Sequence, residues 1–166
     1  MGNLIMMMGC PGVGKSTFVK DHCPEHIDTY VSRDDIRFSI VREDEEYFSH
    51  ETEVWNIFVA TIARGLKFGG TVWADATHLN MKSRLKLLNA LPQKPDNIEI
   101  IFLDAPLETA LEQNELRKGT RAYVPPEQVK RMWFQVEEPE FHEGKYTYNK
   151  IYIVRPGEPI IIKEEQ

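Results

Sequence analysis

Gly9-Cys10-Pro11-Gly12-Val13-Gly14-Lys15-Ser16-Thr17 is the stretch of this chain that decides the fold. It satisfies G-x-x-x-x-G-K-[ST] at every position, the pattern of a phosphate-cradling P-loop. The preceding Leu4-Ile5-Met6-Met7-Met8 is a short apolar run suited to a buried parallel strand, and Lys15 to Lys20 can open a helix. Glycines let the backbone curl so that successive N–H groups face one concavity, where the helix N-terminus adds partial positive charge. The nine residues Gly9 to Thr17 are therefore expected to wrap the phosphates of a nucleoside triphosphate. Lys15 would reach the β- and γ-phosphates, and the Ser16 hydroxyl would hold Mg²⁺.

Working outward, apolar runs alternate with helical patterns. After Leu4–Met8 come strand-like runs at Asp28–Val31, Thr71–Ala74, Ile98–Leu103 and Ile151–Val154. Between them, Trp55, Val59, Ile62 and Leu66 share a helical face that Gly69-Gly70 ends. Asn80 can cap a helix with Met81, Leu85 and Leu88 inward, stopped by Pro92. Pro106 opens another with Leu107, Ala110 and Leu111 inward. Pro125-Pro126 precede a fourth carrying Val129, Met132, Trp133 and Val136. This alternation predicts an α/β fold, a parallel sheet covered by helices on both faces. No second domain is expected within residues 1–166, and 158–166 would add an edge strand or fray.

The chain of 166 residues has 42% hydrophobic residues, enough for an ordinary core. No apolar run approaches the ~18 residues of a membrane span, and no basic-then-apolar leader opens the chain. Cys10 and Cys23 do not make a disulfide framework, so the expectation is a reduced, cytoplasmic protein without membrane or disulfide partner. The net charge of −6 argues against a general nucleic-acid coat but leaves room for a nucleic-acid end held in a local basic pocket. The acidic run Glu43-Asp44-Glu45-Glu46 reads as a solvated loop.

Three further segments carry chemistry. Ser32-Arg33-Asp34-Asp35-Ile36-Arg37 lies just past the second strand, at the sheet end where ligands bind. Asp34 is either a base for an attacking hydroxyl or a helix cap, and Arg37, three residues on, suits a phosphate clamp. Trp73-Ala74-Asp75-Ala76-Thr77-His78 ends the third strand with an acid placed for Mg²⁺. Asp104, at the end of Ile100-Ile101-Phe102-Leu103, is the alternative. Asp75 is preferred because in kinases of this architecture the third strand adjoins the first. His78, without a ligand-spaced neighbour, reads as polar surface or substrate rim. Arg117-Lys118-Gly119-Thr120-Arg121 is a basic, glycine-hinged stretch suited to a lid over phosphates, spanning about residues 117–124. Lys82, Lys86, Lys130 and Arg131 are either substrate-channel cations or ordinary surface charge.

Together the P-loop, Arg33-Asp34-Asp35-Ile36-Arg37-Phe38-Ser39-Ile40, Asp75 with Leu79-Asn80, and the basic stretch before Pro125 resemble the kinase domain of bacteriophage polynucleotide kinase, from Met1 to about Val154. The resemblance implies an adenylate-kinase-like sheet of five parallel strands in the order 2-3-1-4-5. It implies ATP- and Mg²⁺-dependent phosphoryl transfer to the 5′-hydroxyl of DNA or RNA. Asp34 would be the general base, Arg37 the ligand of a 3′-phosphate, and Arg117, Lys118 and Arg121 the lid cations. Where the family has a lid arginine before Gly-Thr this chain has Lys118, and the phosphatase domain of the best-known member is not expected here. Related P-loop kinases, zeta-toxin-like or acting on hydroxymethylated DNA bases, supply a second acceptor class. A non-catalytic nucleotide-binding module is the third reading.

Overall fold

The computed structural model describes residues 1–24 and 28–165. Its strands and helices alternate: β1 (Asn3–Met8), α1 (Lys15–His22), β2 (Thr29–Ser32), α2 (Arg33–Ile40), α3 (Glu51–Lys67), β3 (Thr71–Asp75) and α4 (Met81–Ala90). There follow β4 (Asn97–Leu103), α5 (Leu107–Glu115), α6 (Pro126–Trp133), β5 (His142–Glu143), β6 (Tyr146–Thr147), β7 (Lys150–Val154) and β8 (Ile161–Glu164). The main sheet has six strands in the order β2-β3-β1-β4-β7-β8, and β5-β6 form a separate two-stranded ribbon. The first five run parallel, so the expected order 2-3-1-4-5 is present with β7 as its fifth member. The departure is β8, which pairs antiparallel with β7 as an edge. The tail expected as an edge strand is thus a strand over Ile161–Glu164, while Gln166 lies outside the described residues.

β1 is central and buried on both faces. Leu4, Met6 and Met8 point into a cluster with Phe58, Ile62 and Leu66 of α3 and Leu87 and Leu88 of α4. Met7 points the other way, towards Val19 of α1, Trp73, Ile101 and Leu103. This two-sided burial is why β1 reads as an unbroken apolar run rather than an alternating one. Among the described residues no helix is long and apolar enough to cross a membrane.

Two helix faces differ from expectation. On α3 the buried positions are Val54, Phe58, Ile62 and Leu66, one residue back from the expected Trp55 and Val59 in the first half. Trp55 flanks the core, its ring facing the Lys86 ammonium at 4.4 Å and the Arg33 guanidinium at 5.3 Å. On α4 Met81 is exposed, and the buried residues are Arg84, Leu87 and Leu88. Arg84 is fully buried because its charge is answered. Nε and Nη2 donate to Glu143 at 2.8 and 2.6 Å, and Nη1 donates to the His78 carbonyl at 3.0 Å. Tyr148 donates to the same carboxylate at 2.6 Å. Burial pushes the Glu143 carboxyl up, but Arg84 and Tyr148 outweigh it and hold the group below its ordinary value. The pair ties α4 to the β5-β6 ribbon.

Candidate active site

The sheet order brings several of the sequence-predicted residues to the carboxyl ends of adjacent strands. Asp75 at the end of β3 is level with Met7 of β1 on one side and Ser32 of β2 on the other. The P-loop leaving β1, the start of α2 and Asp75 therefore converge beyond the carboxyl ends of three adjacent strands. They line a cleft of about 200 Å³ with Lys15, Ser16, Arg33, Asp34, Arg37 and Arg117.

The loop has the geometry its glycines predict. Gly12 has φ +86, and a Cβ there would lie 2.7 Å from the Ala110 carbonyl of α5, so no larger residue fits. Gly14, at φ +95, precedes α1, whose N-terminus has no side-chain cap. Lys15 Nζ donates to the carbonyls of Gly9 and Cys10 at 2.8 and 2.9 Å. Burial lowers the Lys15 pKa, while Asp75 and Asp34 act to raise it. Cys10, buried beside it, has its thiol pushed up to about 11 by that burial, so it stays protonated at neutral pH.

Ser16 Oγ donates to Asp75 Oδ2 at 3.3 Å, and the Tyr30 hydroxyl donates to the same oxygen at 2.5 Å. Burial, with Asp75 next, pushes the Tyr30 phenol up, which keeps it a donor. A hydroxyl and a carboxylate in contact are the hard oxygen donors Mg²⁺ takes from a P-loop protein, the remainder coming from phosphate and water. The donor set therefore fits the ion. Asp104, the alternative acid, is instead paired with Arg155 at 2.9 Å and lies outside this cleft.

Ser32, not Asp34, caps α2: its side chain accepts from the Asp35 N–H. The capping role considered for Asp34 thus falls away. Its Oδ1 accepts instead from the Tyr47 hydroxyl at 2.7 Å and from Arg37 Nη1. Among the described residues both donors fall on Oδ1, which leaves Oδ2 to accept another proton. Arg37 is held from behind by Glu51, with Nε to Oε1 at 2.6 Å and Nη2 to Oε2 at 3.1 Å, and its Nη1 also donates to Tyr47 at 2.8 Å. Its side chain is 6% exposed. The guanidinium expected to clamp a phosphate is thus committed to Asp34, Tyr47 and Glu51. Arg33 Nη2 also donates to Glu51 Oε2, at 2.9 Å.

Of the three cations in the basic stretch, only Arg117 lines the cleft. Lys118 is exposed and paired with Glu115 at 3.1 Å. Arg121 donates to the carbonyls of Phe38 and Val41, and its guanidinium lies 5.1 Å from the Phe38 ring. The structure does not bring Lys118 and Arg121 to the cleft. The base of this stretch is closed by buried Asn114, which donates to the Val124 carbonyl at 2.6 Å and accepts from its N–H at 3.1 Å. Lys82, Lys86, Lys130 and Arg131 also lie off the cleft, with Lys130 paired to Glu127 at 3.1 Å.

His78 is neither surface nor rim. It is 4% exposed, has φ +43, and donates from Nδ1 to the Met7 carbonyl at 2.6 Å. Burial lowers its pKa to about 4. Tyr30, Tyr47, Phe48 and Glu51 were not anticipated. Their only sequence signal is proximity to the second strand and to the acidic run.

Comparison with known proteins agrees with this fold. Residues 4–139 match the model of the AAA domain family. An L-seryl-tRNA(Sec) kinase of Methanococcus maripaludis is 29% identical over 143 residues, covering 82% of this chain and 53% of that protein. The chain thus spans about half the length of the curated relative it matches. A chain of the Pnkp1/Rnl/Hen1 RNA repair complex superposes with a TM-score of 0.70 at 23% identity, covering 81% of this chain and 44% of that one. A sugar kinase of Janibacter sp. HTCC2649 gives 0.63 at 14% identity, over 96% and 88%. These likenesses establish the P-loop kinase fold. With most of its length matched and the phosphate-binding loop intact, this chain belongs to the AAA domain family.

Proposed function

We propose that the chain is a polynucleotide 5′-hydroxyl kinase, transferring the γ-phosphoryl of ATP to the 5′-OH of DNA or RNA. One observation carries the reading. The Asp34 carboxylate stands on the same cleft as Lys15, Ser16, Asp75 and Arg117, spared from helix capping and oriented by two donors. A site that only stores nucleotide has no use for an oriented carboxylate facing its phosphate end.

The roles follow from the chemistry. Asp34 Oδ2 takes the proton of the acceptor hydroxyl as its oxygen bonds to the γ-phosphorus and the bridging bond to ADP breaks. Lys15 and Arg117 balance the charge that develops on the phosphoryl oxygens. Ser16 and Asp75 would hold Mg²⁺, which would supply charge neutralisation for the transferring phosphoryl group. Arg37 acts by fixing Asp34. Among the described residues four of its five N–H groups are bonded, and the fifth, on Nη2, is left to meet a phosphate on the acceptor.

A second acceptor is favoured by one finding, the similarity to an L-seryl-tRNA(Sec) kinase, whose name puts its acceptor on an aminoacylated RNA. The test is a panel with γ-labelled ATP and Mg²⁺: 5′-OH DNA and RNA oligonucleotides, seryl-tRNA, hydroxymethylated DNA and gluconate. Label at the oligonucleotide 5′ end is the expected result. Label confined to seryl-tRNA, a modified base or the sugar acid moves the assignment to that acceptor, and nucleotide binding without transfer to any of them overturns it.

A further inference from the structure

Phe48 is an anomaly on this cleft. It is 52% exposed, yet it lines the same cavity as Asp34 and Lys15. Its position is built rather than incidental. The Tyr47 ring meets it edge-to-face, with centroids 4.6 Å apart and planes at 89°. The Arg37 guanidinium lies 5.5 Å from its centroid and 4.5 Å from that of Tyr47. That guanidinium is the group that holds Asp34 Oδ1 and is itself locked by Glu51. The aromatic ring and the carboxylate are therefore joined through one guanidinium and line one cleft.

A ring fixed in this way offers a flat apolar surface beside the point where the acceptor hydroxyl must arrive. A polyol or sugar acid has nothing flat to lay on it. A nucleobase does, and every base has a π-face to offer. We propose that Phe48 is the stacking platform for the base of the acceptor's terminal nucleotide, the one whose hydroxyl is presented to Asp34. The platform rests on the reading of the chain as a kinase with a nucleic-acid acceptor, and it gives that reading a specificity element. It takes any base, since stacking carries no hydrogen-bond code, and it rejects acceptors that lack one.

The experiment pairs two 5′-OH oligonucleotides, identical except that one has an abasic first nucleotide, with wild type, Phe48→Ala and Phe48→Trp. On the normal oligonucleotide Phe48→Ala is expected to raise the acceptor KM by about 5- to 150-fold, the span of base–aromatic stacking. Its ATP KM and its thermal midpoint should match wild type, and Phe48→Trp should restore the acceptor KM. On the abasic oligonucleotide wild type should fall to the level of Phe48→Ala, and the substitution should cost nothing more. An equal loss on both oligonucleotides, a change in ATP KM instead, or no change on either overturns the platform while leaving the kinase reading in place. If wild type labels neither oligonucleotide, the acceptor class is wrong and the platform falls with it.

Discussion

Replacing Tyr47 by phenylalanine removes one oxygen and keeps the ring that packs on Arg37 and Phe48. The lost group is the hydroxyl that donates to Asp34 Oδ1 at 2.7 Å. A hydrogen bond to a charged acceptor is worth about 1.5–3 kcal/mol. Asp34 is 58% exposed, so water partly replaces the donor and the low end applies. With Arg37 still in place, the expected loss is about 1.5 kcal/mol, roughly a tenfold fall in kcat. Steady-state kinetics with ATP and a 5′-OH oligonucleotide measure it, and the ATP KM should stay put because the P-loop is untouched. The decisive arm is a cycle with Asp34→Ala. If Tyr47 acts only by aiming that carboxylate, its loss costs nothing further once the carboxylate is gone. The same tenfold loss in the Asp34→Ala background would refute the reasoning and make Tyr47 a structural residue.

Other consequences are separable from that one. Lys15→Ala removes a half-buried ammonium from the P-loop and should weaken Mg-ATP binding by at least about tenfold in calorimetry; wild-type affinity would contradict the cradle. Glu143→Ala strands the fully buried Arg84, which costs about 3–5 kcal/mol. For 166 residues the unfolding entropy is about 0.35 kcal/mol/K, so Tm should drop by roughly 9–14 °C, and a drop of a degree or two would mean the pair contributes little. His78 titrates near 4 when folded against 6.5 when unfolded. The unfolded chain therefore binds the extra proton as pH falls through that window. His78 should contribute stability present above 6.5 that shrinks by about 3 kcal/mol on approaching pH 4. His78→Asn, which tolerates positive φ, should flatten that part of the denaturant midpoint-versus-pH curve; an unchanged slope would assign the acid loss to other groups.

The parts of the molecule that could be read from sequence are those whose chemistry is local. The P-loop is legible because Gly12 and Gly14 must take positive φ and Lys15 must follow them directly. The parallel sheet followed because each apolar run was separated by a helix-forming stretch, whereas the strand order came from the resemblance. Strand adjacency, the ground for preferring Asp75, does not separate it from Asp104, because β3 and β4 both flank β1; the 3.3 Å contact of Asp75 with Ser16 and the pairing of Asp104 with Arg155 do. What could not be read depends on distant partners. Ser32 and Asp34 are both good caps, and only the fold selects Ser32 and frees Asp34. Arg121 looks like a phosphate ligand by charge alone, but the return of the chain past α2 gives it backbone carbonyls instead. Arg84 and His78 sit where hydropathy expects exposure, because Glu143 and the Met7 carbonyl answer them across the core. Tyr47, Phe48 and Glu51 follow a polar loop with no periodic signal, and they matter only because α3 folds back onto α2.

The most direct measurement is the rate of labelled γ-phosphoryl transfer to a 5′-OH oligonucleotide by wild type and Asp34→Asn, with Mg-ATP affinity measured alongside. The account predicts a wild-type product labelled at the 5′ end and a rate lower by about 10²–10⁴-fold in the variant, with ATP affinity unchanged. A variant that transfers at the wild-type rate, or a wild type that leaves the 5′ end unlabelled, would contradict it.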